Sequence, residues 1–393
     1  MAHSRRATGP GDEPMLARWG SEHPSAPLVV VLHGNGTSEH SMIEISPWLP
    51  HGPVAYAAVR GPFQDATGYS WYLDGSDILP TCAWLEGWLD TEGDPERPVL
   101  LVGFREGVTV AAALMLSAPH RFAGGVLIYG ALPFDVDLPL RRGRLSGMPV
   151  FLAHGTDDPR TPAALLARTG AWLARESGAP LWNVRVPGGA QLAGEVVGAV
   201  GTWLGDRLDH LRAHGENPLP DGDAPPWPTV PGGTLPHRDG GPPIVTERIP
   251  QHQESSRSGG PLTARLWDRL AALDGVETAP AAVGVEGTRS LLLDRAVATG
   301  PDGAYLMPEL GEFAHQHPDP DGSVHAVLPD ALAYDAIAKG WAVPHPLAGL
   351  RVSPGAVLVA APRDVGEVET VAGIVAASHR YATGGLASDD RNI

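Results

Sequence analysis

Apolar residues in the first half of the chain form short runs that alternate with helical patterns. The runs are LVVVL, VAYAAV, VLLVGF, GVLIY, PVFLAH and LWNVRV, all between Leu28 and about Leu211, and glycine or proline residues bound them. Near-continuous apolar strands separated by amphipathic helices are typical of a parallel sheet with both faces covered. The pattern predicts a doubly wound α/β domain over residues 26–212, preceded by a disordered N-terminus over residues 1–25.

The alternation stops beyond this domain. Proline and glycine supply 18 of the 48 positions from Ala213 to Gly260. Such a composition is typical of an extended or flexible connection between folded units. We therefore predict a Pro/Gly-rich linker over residues 213–260.

A second, smaller domain is predicted over residues 261–382. Leucines recur at helical spacing from Leu262 to Leu273, short apolar or alternating runs follow, and a last helix is expected to begin with Asp364 as its N-cap. Strands and helices are segregated here, which favours an α+β fold. Residues 383–393 are predicted to form a frayed tail.

Charge and cysteine content narrow the classes of function. The 393 residues carry a formal net charge of −17, and Lys339 is the only lysine, so no polybasic patch is available for nucleic acid or anionic lipid. Cys82 is the only cysteine, which excludes an internal disulfide and a cysteine-based zinc site. No secretory signal and no apolar run of membrane-spanning length is visible. We expect a cytoplasmic protein without nucleic-acid or membrane partners.

Three motifs in the first domain carry a family resemblance. The segments VVVLHGNGTSEHSM, AVRGPF and GYSWY resemble the carboxylesterase and phospholipase branch of the α/β-hydrolase family. That family presents a nucleophilic serine in a G-x-S-x-G turn between a strand and a helix. The corresponding turn here is GFREG, residues 103–107, with Arg105 in place of the serine. A protonated guanidinium has no nucleophilic lone pair.

The other two catalytic positions of that family are only half retained. The family's acid matches Asp158 in HGTDDP, whereas its final GGH element reads GGA, with Ala190 in place of the histidine base. Because triad members act as a unit, we expect a catalytically inactive scaffold. It would cover the second domain, hold a homodimer together, or bind an anionic or acyl ligand through Arg105, unless Arg105 only pairs with Glu106 or Asp158.

Histidines in the second domain are close in sequence and favour a shared site. His315 and His317 are two residues apart, so on a strand they point to one face. The following segment PDPDGS is typical of a hairpin turn. If His317 pairs with Ser323 across that turn, the same register places His315 opposite His325. Their Cβ atoms would then lie about 5 Å apart.

Strand parity also sorts the nearby carboxylates. Glu309 is expected on the face of the histidines and Glu312 on the opposite face. Three interpretations of the cluster stay open: a solvated face without a role; a zinc, iron or manganese site made by His315, His317 and His325 with a carboxylate; and an acid/base centre.

A second resemblance covers roughly residues 286–381. The blocks GEFAHQHPDPDGSVHAVLP, KGWAVPHPLAG and APRDVGEVETVAGIVAAS resemble the domain of the fungal luciferases that oxidise hydroxyhispidin and of related bacterial proteins. The matching positions are Glu312, His315, His317, His325, Gly340, Trp341, His345, Pro346, Leu347, Ala348, Gly349, Pro362 and Arg363.

The resemblance implies that an electron-rich enol reacts with molecular oxygen without flavin or haem. Catalytic roles would then belong to His315, His317, His325, His345 and, as the cation that stabilises developing charge, Arg363. Substrate-binding roles would belong to Trp341, Glu309 and Glu312.

We therefore predict an oxygenase of secondary metabolism that acts on a small enolic or phenolic molecule, with no cofactor or with one transition metal. The alternatives are a non-catalytic small-molecule-binding or scaffold protein and, third, a residual esterase.

Overall fold

The computed structural model describes residues 13–64, 67–186, 192, 194–214, 225–246 and 249–386. The chain divides into two compact units, residues 1–223 and residues 224–393. We call them the N-terminal and C-terminal units.

The N-terminal unit alternates strands and helices. Its strands are β1 (Leu16–Gly20), β2 (Leu28–Leu32), β3 (Ala55–Val59), β4 (Phe63–Gln64), β5 (Tyr69–Ser70), β6 (Val99–Phe104), β7 (Gly124–Ile128), β8 (Val150–Gly155) and β9 (Leu181–Val186). Its α-helices are α1 (Ile78–Leu89), α2 (Glu106–Ser117), α3 (Ala163–Arg175) and α4 (Gly194–His214).

Seven of these strands form one sheet in the order β1-β3-β2-β6-β7-β8-β9. Only β1 is antiparallel to its neighbour, and the other neighbours are parallel. All five residues of β2 and of β7 are buried, as expected for strands covered on both faces. The predicted doubly wound α/β fold is confirmed.

Strand β1 lies within the predicted disordered N-terminus. It pairs with β3 from Leu16↔Val59 to Gly20↔Ala55, and residues 1–12 lie outside the described part of the chain. The structure differs from the expectation because an edge strand needs only one ladder of hydrogen bonds and a short half-buried segment. The apolar residues of Leu16–Gly20 are too few to predict a strand from the sequence.

The C-terminal unit combines one antiparallel sheet with three described α-helices. The strands are β10 (Val276–Pro280), β11 (Arg289–Leu293), β12 (Glu312–Gln316), β13 (Val324–Val327), β14 (Ala342–Pro344) and β15 (Ala356–Val359), in the order β10-β11-β12-β13-β15-β14. The helices are α5 (Gly260–Ala271), α6 (Asp330–Ala338) and α7 (Val365–Ala382). This architecture confirms the smaller α+β fold.

Helix α7 closes one face of this sheet. Its side chains Val368, Val371 and Ile374 are buried, and the helix packs against β12 and β13. Asp364 is its N-cap and accepts the backbone N–H of Glu367 at 2.9 Å, as the sequence predicts. The last helix therefore occupies one face, which leaves the other for the histidine side chains of β12 and β13.

The structure differs from the predicted linker over residues 213–260. From residue 225 onward, in its described parts, this segment packs into the C-terminal unit; we call residues 225–258 the strap. Trp227 is completely buried and its indole N–H donates to Asp335 at 2.8 Å. The Gln253 side chain accepts the backbone N–H of Ala361 at 3.0 Å. Side chains supply the hydrogen bonds that an irregular backbone lacks. Proline and glycine content therefore does not distinguish this packed segment from a flexible linker.

Truncation of Trp227 tests whether the strap belongs to the folded unit. We expect Trp227→Ala to lower the free energy of unfolding of the C-terminal unit by about 3–5 kcal/mol, because a large buried ring and a hydrogen bond are lost. Denaturant titration would measure the change. Trp182→Ala, at a position 61% exposed on β9, is the control and should change stability by less than about 0.5 kcal/mol. Equal effects of the two substitutions would show that the strap is a loose connection.

Candidate functional site

The hairpin of β12 and β13 has the predicted register. His315 pairs with His325, and the backbone N–H of His317 donates to the carbonyl of Ser323 at 2.9 Å. The turn between them needs Gly322, whose φ of 72° is the left-handed conformation that glycine adopts without strain. This register brings three imidazole rings to one face of the sheet.

The three rings, which we call the histidine cluster, are packed together and shielded from water. Ring centroids lie 5.0 Å apart for His315 and His325, 5.1 Å for His317 and His325, and 5.7 Å for His315 and His317. The residues are 7%, 4% and 1% exposed for His315, His325 and His317, respectively. This burial contradicts the interpretation as a solvated polar face.

One nitrogen of each ring is held by an acceptor. His315 Nδ1 lies 2.7 Å from Oε1 of Glu312, His317 Nδ1 lies 2.8 Å from Oδ2 of Asp321, and His325 Nε2 lies 3.2 Å from the carbonyl oxygen of Gln251. Carboxylates and carbonyls only accept hydrogen bonds, so each of these ring nitrogens carries the proton. In the neutral rings the opposite nitrogens therefore present lone pairs.

Two of those lone pairs are buried without a partner. His317 Nε2 and His325 Nδ1 are inaccessible to solvent and make no hydrogen bond within the described part of the chain. Burial, followed by the neighbouring histidines, lowers the pKa of His325 well below its usual range, so this ring stays neutral. Unpaired buried polar atoms are costly and point to a ligand. Nitrogens of the three histidines lie within 4.8 Å of one another, close enough to hold one metal ion.

The two carboxylates are fixed by further donors. Glu312 Oε2 accepts the Ser290 hydroxyl at 2.9 Å, and Asp321 Oδ1 accepts the backbone N–H of Ser323 at 3.0 Å. Burial by itself would raise the pKa of Asp321, but hydrogen bonds from His317 and Ser323 outweigh it and lower the pKa. Both groups therefore orient histidines and have their oxygens occupied.

Strand parity assigned the nearby glutamates incorrectly. Glu309 is exposed in a 3-10 helix, Pro308–Leu310, ahead of β12. Glu312, expected on the opposite face, is fully buried and hydrogen bonded to His315. The pairing of β11 with β12 shifts register between Leu291 and Leu292, and such a bulge interrupts the alternation on which parity depends. The strict alternation of side chains therefore does not hold for Glu312 and the residues that precede it.

The strap contributes contacts that sequence reasoning missed. Gln251 holds His325 with its carbonyl and donates its side-chain N–H to the Pro344 carbonyl at 3.2 Å. The backbone N–H of Gln253 donates to Asp321 Oδ2 at 3.2 Å. The only sequence signal for these contacts is the spacing of two glutamines in QHQ, and Asp321 was interpreted as a turn residue alone.

His345 lies at the edge of the histidine cluster. Its ring centroid is 5.4 Å from that of His325, and its Nδ1 accepts the backbone N–H of Leu347 at 3.2 Å. The proton of the neutral ring is therefore on Nε2. Burial, together with nearby His315, lowers the pKa of His345. The residue can donate a hydrogen bond to an anion bound at the cluster.

Arg363, predicted to stabilise developing charge, and Trp341, predicted to bind substrate, both make hydrogen bonds to other protein groups. Arg363 donates to Glu367 at 2.8 Å and to the carbonyl of Asp239 at 2.8 Å. Trp341 is buried, and its indole N–H donates to the carbonyl of Pro236 at 2.6 Å. These contacts tie α7 and the strap into the unit, which gives both residues a structural explanation.

The N-terminal unit has a tight turn with a positive φ between β6 and α2. Arg105 connects β6 to α2 with a φ of 53°. A Cβ on Gly107 would lie 2.3 Å from the carbonyl oxygen of Leu32, so only glycine fits this close approach of helix and strand.

The side chains at this turn contact other segments of the N-terminal unit. Arg105 Nη1 lies 3.9 Å from Oδ1 of buried Asp158. The Glu106 carboxylate accepts the backbone N–H of Asn35 at 3.0 Å. Ala190 lies outside the described residues.

Comparison with known proteins places both units. Residues 86–177 match the family model described as Phospholipase/Carboxylesterase, and residues 310–378 match the model described as Luciferase domain. The N-terminal half resembles carboxylesterases, and the C-terminal domain resembles luciferase domains. Both resemblances drawn from the sequence are thus confirmed.

Curated relatives are similar to the hydrolase-like domain. Acyl-protein thioesterase 1 of Cryptococcus neoformans is 26% identical over 159 residues, which cover 33% of this chain and 66% of that protein. Its Schizosaccharomyces pombe namesake is 26% identical over 166 residues, covering 37% and 74%. The chain thus spans about two thirds of the length of these relatives.

Solved structures are similar to the same part. Bacillus cereus carboxylesterase has a TM-score of 0.44 at 20% identity and covers 50% of this chain and 96% of its own. Zea mays acyl-protein thioesterase 2 has a TM-score of 0.41 at 16% identity, with coverage of 49% and 98%.

The family matches include most of the residues described above. The luciferase-domain match contains the histidine cluster, Glu312 and Asp321, whereas Gln251 of the strap lies outside it. The carboxylesterase match contains Arg105 and Asp158.

Among the described residues, no helix is long and apolar enough to cross a bilayer.

Nitrogen-15 NMR of the metal-free protein would test the hydrogen bonds of the histidine cluster. We expect His315 and His317 to be protonated on Nδ1, because carboxylates accept there, and His325 to be protonated on Nε2. Long-range correlations between ring protons and nitrogens distinguish the two tautomers. Single His→Gln variants provide the assignment. A proton on His317 Nε2 or His325 Nδ1 would contradict the inward-facing lone pairs.

Proposed function

We propose that the luciferase domain catalyses the reaction of molecular oxygen with a small enolic or phenolic substrate. The observation that carries this proposal is the pair of buried, unpartnered nitrogens on His317 and His325, within the region that matches the luciferase domain. A buried polar group without a partner is costly unless a ligand completes it. A hydroxylated molecule is a suitable ligand.

The geometry supports activation of a substrate hydroxyl at the cluster. Loss of the O–H proton leaves an enolate, and its electron-rich carbon forms a bond to oxygen. The proton returns to the terminal oxygen, so that the product is a hydroperoxide that contains both oxygen atoms. Exclusion of water protects the anion, and the Nε2–H of His345 would stabilise its charge. The nitrogens of the cluster serve either as the proton acceptor or as ligands of a metal that acidifies the hydroxyl.

We further propose that the hydrolase-like domain is not a serine hydrolase. Arg105 replaces the nucleophile, and Ala190 stands where the family has its base. The Glu106 carboxylate also occupies the N–H of Asn35, in the loop that supplies an oxyanion-hole donor in hydrolases of this fold. A carboxylate there repels a developing oxyanion. A scaffold that binds a ligand or a second copy of the chain is the remaining role.

A cytoplasmic location is part of the same proposal. Cys82 is the only cysteine and is buried, which suits a reducing compartment. Partners would be the small substrate and oxygen, with neither nucleic acid nor membrane involved.

Oxygen consumption tests the luciferase-domain activity. With a panel of hydroxypyrones and phenols, we expect His315→Ala to reduce substrate-dependent uptake at least 100-fold, because removal of a positioned acid/base or ligand group typically costs about 10²–10⁴ in rate. An oxygen electrode measures uptake, and His120→Ala, at an exposed histidine of the other unit, serves as the control. Uptake equal in wild type and His315→Ala would favour the non-catalytic binding protein.

Ester cleavage tests the hydrolase-like domain. The purified protein should not hydrolyse nitrophenyl esters or acyl thioesters above the uncatalysed rate. Arg105→Ser should not restore hydrolysis, because the base is still missing and triad members act as a unit. Release of nitrophenol or thiol is followed by absorbance. Turnover by the wild-type protein would favour the residual esterase instead.

A further inference from the structure

We propose that the histidine cluster binds one divalent first-row transition metal through His315 Nε2, His317 Nε2 and His325 Nδ1. This inference deepens the proposed function. The catalytic use of the ion rests on that function, whereas metal binding rests on the geometry alone. It selects the metal-ligand role of the three rings over the acid/base role.

The first support is the direction of the lone pairs. The outward nitrogen of each ring donates its proton to Glu312, Asp321 or the Gln251 carbonyl. The inward nitrogens are left as acceptors, and two of them are buried without any donor among the described residues. A base needs one such nitrogen. Three such nitrogens form a ligand set, and they belong to rings that each have one nitrogen within 4.8 Å of a nitrogen of the other two.

The second support is the nature of the outward acceptors. Histidines that bind metals commonly donate their other N–H to a carboxylate or a backbone carbonyl, which fixes the tautomer and raises the basicity of the ligand. Two rings of the cluster donate to buried carboxylates and the third donates to a carbonyl. The acceptors come from β12, the hairpin turn and the strap, so three separate segments orient the rings toward one point.

The donor set also indicates the kind of metal and its open positions. Imidazole suits zinc, iron, cobalt, nickel and copper, whereas magnesium and calcium prefer oxygen ligands. Glu312 and Asp321 have their oxygens engaged, and Nδ1 of His345 already accepts an N–H, so none of the three is a further ligand. Three protein ligands leave positions for the substrate oxygen, as in catalytic metal sites.

Metal titration of the full chain, produced without a histidine tag and stripped with a chelator, tests the site. Cobalt(II) should bind with a stoichiometry of one and develop visible d–d absorption, and calorimetry with zinc(II) should give the same stoichiometry. His317→Ala and His325→Ala should weaken binding at least 100-fold. The exposed-histidine variant His120→Ala should bind like wild type.

A milder substitution keeps the test valid if those variants fail to fold. Glu312→Gln keeps a hydrogen-bond acceptor for His315, and we expect a stoichiometry of one with affinity about 10–100-fold lower, the usual cost of an altered outer partner. Circular dichroism checks that the variant is folded. The site would be overturned if Glu312→Gln and His317→Ala, each tested as a single variant, both bound the metal with unchanged affinity. It would also be overturned if the folded wild-type protein bound neither cobalt(II) nor zinc(II) at millimolar concentration.

The outcomes separate the metal site from the proposed reaction. Metal binding that requires His317, without oxygen uptake for any substrate, would sustain the site and refute the oxygenase. Full oxygen uptake by the metal-free protein would refute the catalytic use of the ion and sustain the oxygenase. Metal bound with equal affinity by wild type and both histidine variants would place the ion elsewhere and overturn the inference.

Discussion

The register of a single β-hairpin governs the candidate site. His315 lies opposite His325, and the same ladder places His317 beside them. A shift of one residue would turn the side chains of one strand to the other face, where α7 packs. The turn at Gly322 and the backbone bond from His317 to Ser323 therefore decide whether three imidazoles share one buried space.

The contacts around the hairpin convert that proximity into a chemically defined site. Three rings without fixed partners would each exchange tautomers, and their lone pairs would not converge. Glu312, Asp321 and Gln251 each take one N–H, and Ser290 and Ser323 hold the carboxylates in turn. The ring nitrogens that point away from the cluster centre have hydrogen-bond partners, whereas two of the nitrogens that point toward it have none among the described residues. This arrangement is expected around a ligand.

In the hydrolase-like domain, packing fixes the backbone of the turn between β6 and α2. The turn at Arg105 keeps its left-handed backbone, and Gly107 keeps the close approach to β2, because these features serve the packing of α2 against the sheet. The side chain at the turn is buried as well. An arginine is accommodated next to Asp158 without loss of the fold.

The sequence by itself determined both folds, the pairing of His315 with His325, and the presence of Arg105 and Ala190 where the resembled family has serine and histidine, since these depend on local periodicity and motif spacing. It did not reveal that the strap packs into the C-terminal unit, or that Glu312 rather than Glu309 faces the cluster. Those features depend on a β-bulge and on contacts between residues far apart in the chain, such as Gln251 with His325 and Trp227 with Asp335. Only the tertiary structure specifies which distant groups meet, because hydrogen bonds between them leave no period in the sequence.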